Sequence, residues 1–330
     1  SSPEFKKTRH QEEIDFSDIK GQLFVKRGLE IAASGSHNVL LLGPPGSGKS
    51  MLAKRFSTIL PDMVWEERLE TTRIHSIMGL LEEHQGIVEH RPFRSPHHTT
   101  SDVAIVGGGS IPRPGEITLA HNGILFLDEF PEFDRSVLEA LRQPLEDHCV
   151  TIARANRSTK FPSRFQLICA MNPCPCGFLT DSAQKCRCHS NQIARYMAKI
   201  SGPLLDRMDL HLEVPRLQSS ELLQNTTSES SADIKQRTVL AREIQLNRFK
   251  GTAITANAYM NHKQIKQFCP LNQESKVFFK KAIDELHLSA RAYDKILKVA
   301  RTIADLAHND AITIEHMAEA IQYRCLDRNG

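Results

Sequence analysis

The chain has 330 residues, 40% of them hydrophobic and 25% charged, with a formal net charge of +3. That length buries a substantial core, enough for one α/β domain with a smaller companion, and the charge is too mild to mark a nucleic-acid binder unless the basic residues cluster. No apolar run reaches the roughly 18 residues of a membrane span and no secretory pattern opens the chain, which excludes a membrane protein and reads as cytoplasmic.

Ser1-Ser2-Pro3-Glu4-Phe5 reads as a cloning remnant, so residues 1–13 are set aside as a tag and an N-terminal extension. The stretch from Ile14 to Gln22 leads into a helix expected over 23–34 and ended by Gly35. It is either an ordinary first helix or a segment packed near a nucleotide base, with Gln22 as the contact.

Gly43-Pro44-Pro45-Gly46-Ser47-Gly48-Lys49-Ser50 fits G-x-x-x-x-G-K-[ST], the phosphate-binding loop. The apolar run Val39-Leu40-Leu41-Leu42 before it reads as a buried parallel strand, and Met51-Leu52-Ala53-Lys54 after it as a helix start. Glycines let the backbone wrap an anion, and the helix N-terminus adds positive potential. In such a loop Lys49 reaches the β- and γ-phosphates of ATP and Ser50 binds Mg²⁺. A second strand is expected at about 69–74. Residues 83–122, with His97-His98, Gly107-Gly108-Gly109 and Pro112-Arg113-Pro114-Gly115, carry too much proline and glycine for a long helix and read as an ordered insertion with exposed loops. The adjacent histidines lack acidic partners and make a poor metal pair.

Ile124-Leu125-Phe126-Leu127 is another buried strand, and it ends in Asp128-Glu129. Two acids there need a cation: Asp128 to hold Mg²⁺, Glu129 to deprotonate an attacking water. An amphipathic helix is expected over 133–146. A hairpin over 149–163 follows, whose basic residues Arg154, Arg157 and Lys160 have no acidic neighbours; they form a solvated tip or a polyanion contact. A third buried strand, 165–171, ends at Asn172, a candidate partner of the γ-phosphate or of the attacking water. Then come Cys174, Cys176, Cys186 and Cys188 with His189. Two close thiolate pairs suit tetrahedral Zn²⁺, with His189 able to replace one cysteine and a redox pair as the alternative. A helix over 193–201 and a strand over 210–214 complete the core. The polar stretch 218–232 reads as a linker or mobile loop, and 233–330 as helices at 233–250, 272–286, 289–308 and 313–326, with Ser289 and Thr313 as N-caps.

The phosphate loop, the Leu-Asp-Glu strand, the Asn172 strand and the helical tail together resemble the AAA+ ATPases. Arg91-Pro92-Phe93-Arg94-Ser95-Pro96-His97-His98, the glycine run, Pro112-Arg113-Pro114-Gly115-Glu116-Ile117 and Gly202-Pro203-Leu204-Leu205-Asp206-Arg207 resemble its magnesium-chelatase-like branch, and within that a bacterial competence-associated group. The resemblance implies an α/β P-loop core (14–217) whose parallel sheet is sandwiched by helices, and a helical lid subdomain (233–330). It implies a homo-oligomeric ring, usually a hexamer, with ATP and Mg²⁺ between subunits. Arg207 matches the arginine finger acting in trans, unless it only pairs with Asp206 or Asp209; Arg291 matches the lid's sensor arginine, and Arg195 is a further intersubunit candidate. Three functions remain open: a helicase-like, branch-migrating DNA motor in natural transformation, a chelatase-type motor, and another protein-remodelling ATPase. In the first, Arg91, Arg94 and the hairpin grip single-stranded or branched DNA, alongside recombination proteins. The group carries a further N-terminal domain, which this chain is expected to lack.

Overall fold

A computed structural model describes residues 14–81, 86–109, 112–154, 157–181, 183–217 and 228–329, without the side chains of 153, 154, 157, 328 and 329. Helix α1 (Leu23–Gly35) leads into β1 (Val39–Leu42), and α2 (Lys49–Phe56) follows the glycine-rich loop. Next are α3 (Trp65–Ile77), β2 (Phe93–Arg94), α4 (Asp102–Val106), the small ribbon β3 (Gly107–Gly108) and β4 (Arg113–Pro114), α5 (Glu116–Leu119) and β5 (Ile124–Leu127). Helices α6 (Arg135–Ala140) and α7 (Arg142–Asp147) precede the hairpin β6 (Cys149–Arg154) and β7 (Arg157–Pro162). Then come β8 (Gln166–Met171), α8 (Ser190–Met197), α9 (Gly202–Leu205) and β9 (Leu210–Glu213). The C-terminal helices are α10 (Ser231–Arg248), α11 (His262–Phe268), α12 (Gln273–Leu286), α13 (Ala290–Leu306) and α14 (Ile314–Gln322).

The main sheet has the order β2-β5-β8-β1-β9, with every pair parallel. Strands β1, β5 and β8 are buried along their whole length, because helices cover both faces of a parallel sheet. Successive residues therefore serve two cores. Leu41, Phe126, Ile168 and Leu212 pack towards α1 and the C-terminal helices, while Leu40, Leu125, Leu167 and Cys169 pack towards α6 and α8. The first core runs without a break into Phe249, Phe279, Ile296 and Tyr323 of the C-terminal region.

Several local expectations change. Residues 65–77 are one helix, and no strand forms at 69–74. The Thr71 and Thr72 hydroxyls bond back to the Glu67 and Arg68 carbonyls at 2.8 and 2.6 Å, and only Thr71 and Ile74 are buried, a one-faced helical pattern. The edge beside β5 is taken instead by Phe93–Arg94, from inside the insertion. The helix expected over 133–146 is divided in two: Pro144 has no N–H for the Ala140 carbonyl and its ring crowds it, so α6 stops there. Residues 218–227 of the supposed linker lie outside the described residues. Ser228 and Ser231 are already docked, donating to the Ile19 carbonyl at 2.8 Å and the Asp15 carboxylate at 3.2 Å. Helix α11 was missed, although Asn261 and Gln264 form a reciprocal capping box at 3.0 and 2.9 Å.

Acid sensitivity is built into the far edge of the sheet. Burial on β9, with Arg324 nearby, pushes the His211 imidazole down to about 3, and burial also lowers His37. The unfolded chain takes up the His211 proton near pH ~6.5 and the folded chain only near 3. Stability is therefore full above about 6.5 and lost as the pH falls towards 3. The unfolding midpoint should be flat at neutral pH and fall in acid, less steeply in His211→Asn, whose Oδ1 still accepts the Leu326 N–H now held by Nδ1 at 3.4 Å. An unchanged acid limb would place its origin elsewhere.

Candidate nucleotide site

Strand register brings the site together. Leu42 pairs with Met171 and Leu127 with Cys169, so the residues after β1, β5 and β8 emerge at one edge of the sheet, the carboxyl edge where open α/β sheets bind ligands. A cleft of about 1130 Å³ opens there, lined by the phosphate loop, His97, His98, Asp128, Glu129, Asn172 and one face of α8. Gly46 and Gly48 take φ of +76° and +92°, conformations a side chain disfavours, and turn the backbone around the cleft. Gly43 is pinned more tightly: a Cβ there would lie 2.2 Å from the Val214 carbonyl oxygen.

Lys49 is buried and donates to the carbonyls of Gly43 and Pro44 at 2.7 and 2.9 Å and to Asn172 Oδ1 at 3.3 Å. Burial lowers its pKa, opposed by the charge of Asp128. Ser50 Oγ donates to Asp128 Oδ2 at 2.5 Å, so hydroxyl and carboxylate already converge on one point. The buried Ser47 Oγ has no partner among the described residues. That hydroxyl, the buried Lys49 ammonium and the Ser50–Asp128 pair together fit a nucleotide phosphate with Mg²⁺. Gln22 sits outside the cleft in a left-handed conformation (φ +50°), with its amide bridging the Ser47 and Pro215 carbonyls, both at 3.1 Å, and its buried Oε1 without a partner among the described residues.

Glu129 is also left-handed, at φ +51°. Such a backbone in a non-glycine residue costs energy. His98 Nδ1 holds its carboxylate at 3.0 Å. His98 was missed as a site residue, since nothing local ties it to an acid 31 positions away, and the expectation that the His pair has no acidic partner fails there; the His97 and His98 rings lie tilted, 4.1 Å apart. Arg195 lines the cleft of its own chain from α8, alongside Tyr196 and Lys199, and Lys199 pairs with Glu132 at 2.9 Å.

Beyond β8 the four cysteine sulfurs lie within 4.8 Å of one another, with Cys174–Cys176, Cys174–Cys186 and Cys176–Cys186 at 3.4, 3.7 and 3.6 Å. Zn–S bonds of ~2.3 Å in a tetrahedron set sulfurs ~3.8 Å apart, so the group has the spacing of a thiolate metal site. The N–H groups of Arg187 and Phe178 lower the Cys176 thiol, while burial and the neighbouring thiols raise Cys186 and Cys188, so the four sulfurs share their protons unevenly. His189 stands apart, its N–H donating to Gln192 Oε1 at 2.9 Å at the start of α8.

Arg207 and Arg291 meet elsewhere. Both line a second pocket, of about 380 Å³, with Asn38, Glu146, Asp206 and Lys295, and none of its residues lines the first cleft. Arg207 pairs with Glu146 while its buried Nε has no partner among the described residues, and Arg291 pairs with Asp206 at 2.5 Å. Asp209, the other acid weighed for Arg207, pairs with Lys295.

Two arginines read as phosphate contacts are committed within the protein. Arg91 donates to the Pro61, Asn122 and Asp62 carbonyls and to Glu67, at 2.6–3.2 Å, and Arg94 forms a fork with Glu116 at 2.6 and 2.7 Å. In the hairpin Lys160 is exposed; Arg154 and Arg157 pair through their backbones, and their side chains lie outside those described.

A parallel sheet carrying a phosphate loop after β1, an acid pair after β5 and a polar residue after β8, with a helical C-terminal region, is the AAA+ arrangement. The chain belongs to the magnesium chelatase family of these proteins: residues 15–222 match the model "Magnesium chelatase, subunit ChlI", and 228–324 that of its C-terminal part. It is 50% identical to competence protein ComM of Haemophilus influenzae, over 96% of this chain and 61% of that protein. It is 48% identical to the uncharacterized protein YifB of Escherichia coli, over 95% and 61%. A shorter likeness, 30% over 42% of the chain and 16% of the relative, is to DNA replication licensing factor mcm7 of Schizosaccharomyces pombe. The chain thus spans about three fifths of the length of the first two relatives. Among the described residues no helix is long and apolar enough to cross a membrane.

Proposed function

We propose that this chain is the ATP-hydrolysing module of a cytoplasmic ring motor, usually a hexamer, that acts on DNA in natural transformation and homologous recombination by a helicase or branch-migration type of movement. The observation that carries the ring is the separation of the arginines from the cleft. One chain holds Lys49, Ser50, Asp128, Glu129 and Asn172 in one place and Arg207 with Arg291 in another. A complete site then takes its arginines from a neighbouring copy.

In this reading Lys49 exchanges its carbonyl contacts for the β- and γ-phosphates, and the loop N–H groups and Ser47 Oγ surround them. Ser50 and Asp128 hold Mg²⁺, which neutralises charge developing on the phosphates. Glu129, positioned by His98, takes the proton of the attacking water, and Asn172 orients that water or the γ-phosphate. Arg207 of the next subunit leaves Glu146 for the γ-phosphate. Zn²⁺ is held by Cys174, Cys176, Cys186 and Cys188.

DNA as substrate is supported by the names of a competence protein and a replication licensing factor among the relatives, and by the acid-free basic hairpin, with Arg154, Arg157 and Lys160 as sequence-neutral phosphate grips. A second reading, a chelatase-type ATPase that remodels a protein, is favoured by the chelatase subunit for which the matching family is named. Steady-state ATP hydrolysis at low salt, with and without forked and single-stranded DNA, separates the two. DNA should stimulate turnover, and changing Arg154, Arg157 and Lys160 to Glu should abolish the stimulation while sparing the basal rate. Good basal turnover that ignores DNA would turn the assignment to protein remodelling.

A further inference from the structure

The cysteine loop touches the phosphate loop from two sides, at the same residue. Gly177, at φ +84°, lies so close to Pro45 that a Cβ on it would come within 2.4 Å of Pro45 Cδ and 2.8 Å of Cγ. Further along the loop, Asp181 accepts the N–H groups of Ala183 and Gln184 at 2.7 and 3.2 Å, shaping the turn that returns the chain to Cys186. The same carboxylate, fully buried, pairs with Arg216 Nε at 3.3 Å, and Arg216 Nη2 reaches the Pro45 carbonyl at 3.5 Å. Pro175, between the first two cysteines, lines the nucleotide cleft. Both parts of the loop therefore bear on Pro45; they are joined by the Asp181 N–H donating to the Phe178 carbonyl at 3.3 Å and by the sulfur cluster at their base.

We propose that a thiolate-bound cation of the zinc class, held by Cys174, Cys176, Cys186 and Cys188, clamps the phosphate loop through Gly177 and Pro45, so that nucleotide affinity follows occupancy of the cysteine site. The clamp rests on the reading of that loop as nucleotide-binding. The sulfurs of Cys174, Cys176 and Cys186, at 3.4–3.7 Å, and that of Cys188, within 4.8 Å of them, repel one another when ionised, and a divalent cation converts that repulsion into four bonds. With the cation gone the base of the loop is free to open, and the cradle around Ser47 and Lys49 loses the support that keeps its N–H groups aimed inward. Coupling between two ligands is reciprocal, so bound nucleotide must tighten the metal by the factor by which metal tightens the nucleotide.

The test combines metal content with equilibrium binding of a fluorescent ATP analogue in excess Mg²⁺, which needs no turnover. The purified, reduced chain should hold one zinc. Removing it with a zinc-selective chelator should weaken the analogue by about 5–150-fold, the usual span of such coupling, and added Zn²⁺ should restore it. The double variant Cys186→Ser/Cys188→Ser should bind the analogue weakly and ignore added Zn²⁺. Gly177→Ala leaves all four sulfurs in place; it should keep its zinc and a cooperative melt, lowered by the strain of alanine at φ +84°, and still lose affinity, so retained zinc separates the clamp from a general loss of fold. Conversely, analogue should protect the zinc of the parent chain from the chelator. Equal affinity with and without zinc, or a reduced chain that binds no zinc, overturns the clamp alone. A zinc-loaded chain that binds no analogue overturns the nucleotide reading and the clamp with it.

Discussion

A Glu129→Gln chain is expected to bind ATP and Mg²⁺ as the parent does and to turn ATP over roughly 10²–10⁴-fold more slowly, the range a positioned general base supplies. The substitution keeps the shape of the side chain. It also keeps an oxygen for His98 Nδ1, now 3.0 Å from the carboxylate, so the contact that positions the residue survives. What is lost is the ability to take a proton from water. Ser50 and Asp128, at 2.5 Å, are untouched, and so is the phosphate cradle around Lys49. Binding titration beside phosphate-release kinetics gives both numbers. Near-normal release would remove Glu129 from the chemistry and leave Asp128 as the acid that matters.

Arg207→Ala should lower turnover by about 10³–10⁵-fold, the scale of an arginine supplied to a transferring phosphoryl group. The decisive form of the experiment mixes two inactive chains. Glu129→Gln still carries Arg207, and Arg207→Ala still carries Glu129. If Arg207 serves the neighbour, random mixed rings contain sites with Glu129 from one chain and Arg207 from the next, and about a quarter of the sites regain activity. An arginine acting on its own chain's nucleotide gives no recovery. The second pocket motivates the trans reading: among the described residues its lining shares none with the cleft, and the buried Arg207 Nε has no partner.

Much of the cleft was legible because its chemistry is written in contiguous residues. Gly43 to Ser50, Asp128 with Glu129, and Asn172 each follow an apolar run of strand length, and backbone physics alone says that such runs are buried and that their ends need partners. The hairpin and the four-cysteine cluster were readable for the same reason. The strand expected at 69–74 misled because β-branched residues also serve a one-faced helix, and the true edge strand, Phe93–Arg94, is two residues long and leaves almost no pattern. The single helix expected over 133–146 failed on one proline whose position was visible and whose weight was underrated.

The sequence by itself determined the family of the chain and set out its candidate site, the glycine-rich loop, the acid pair and the four-cysteine cluster, because each depends on residue type and near neighbours. Tertiary structure alone decided the allegiance of the arginines. Arg91 and Arg94 are held by acceptors up to 31 positions away, Arg207 by Glu146 and Arg291 by Asp206, so charges that look free along the chain are already paired in space. It also decided that His98 faces Glu129 and that Gly177 rests on Pro45. Such contacts depend on which strands are neighbours and in what register, quantities set by the packing of two cores on one sheet and not by any stretch of sequence shorter than the fold.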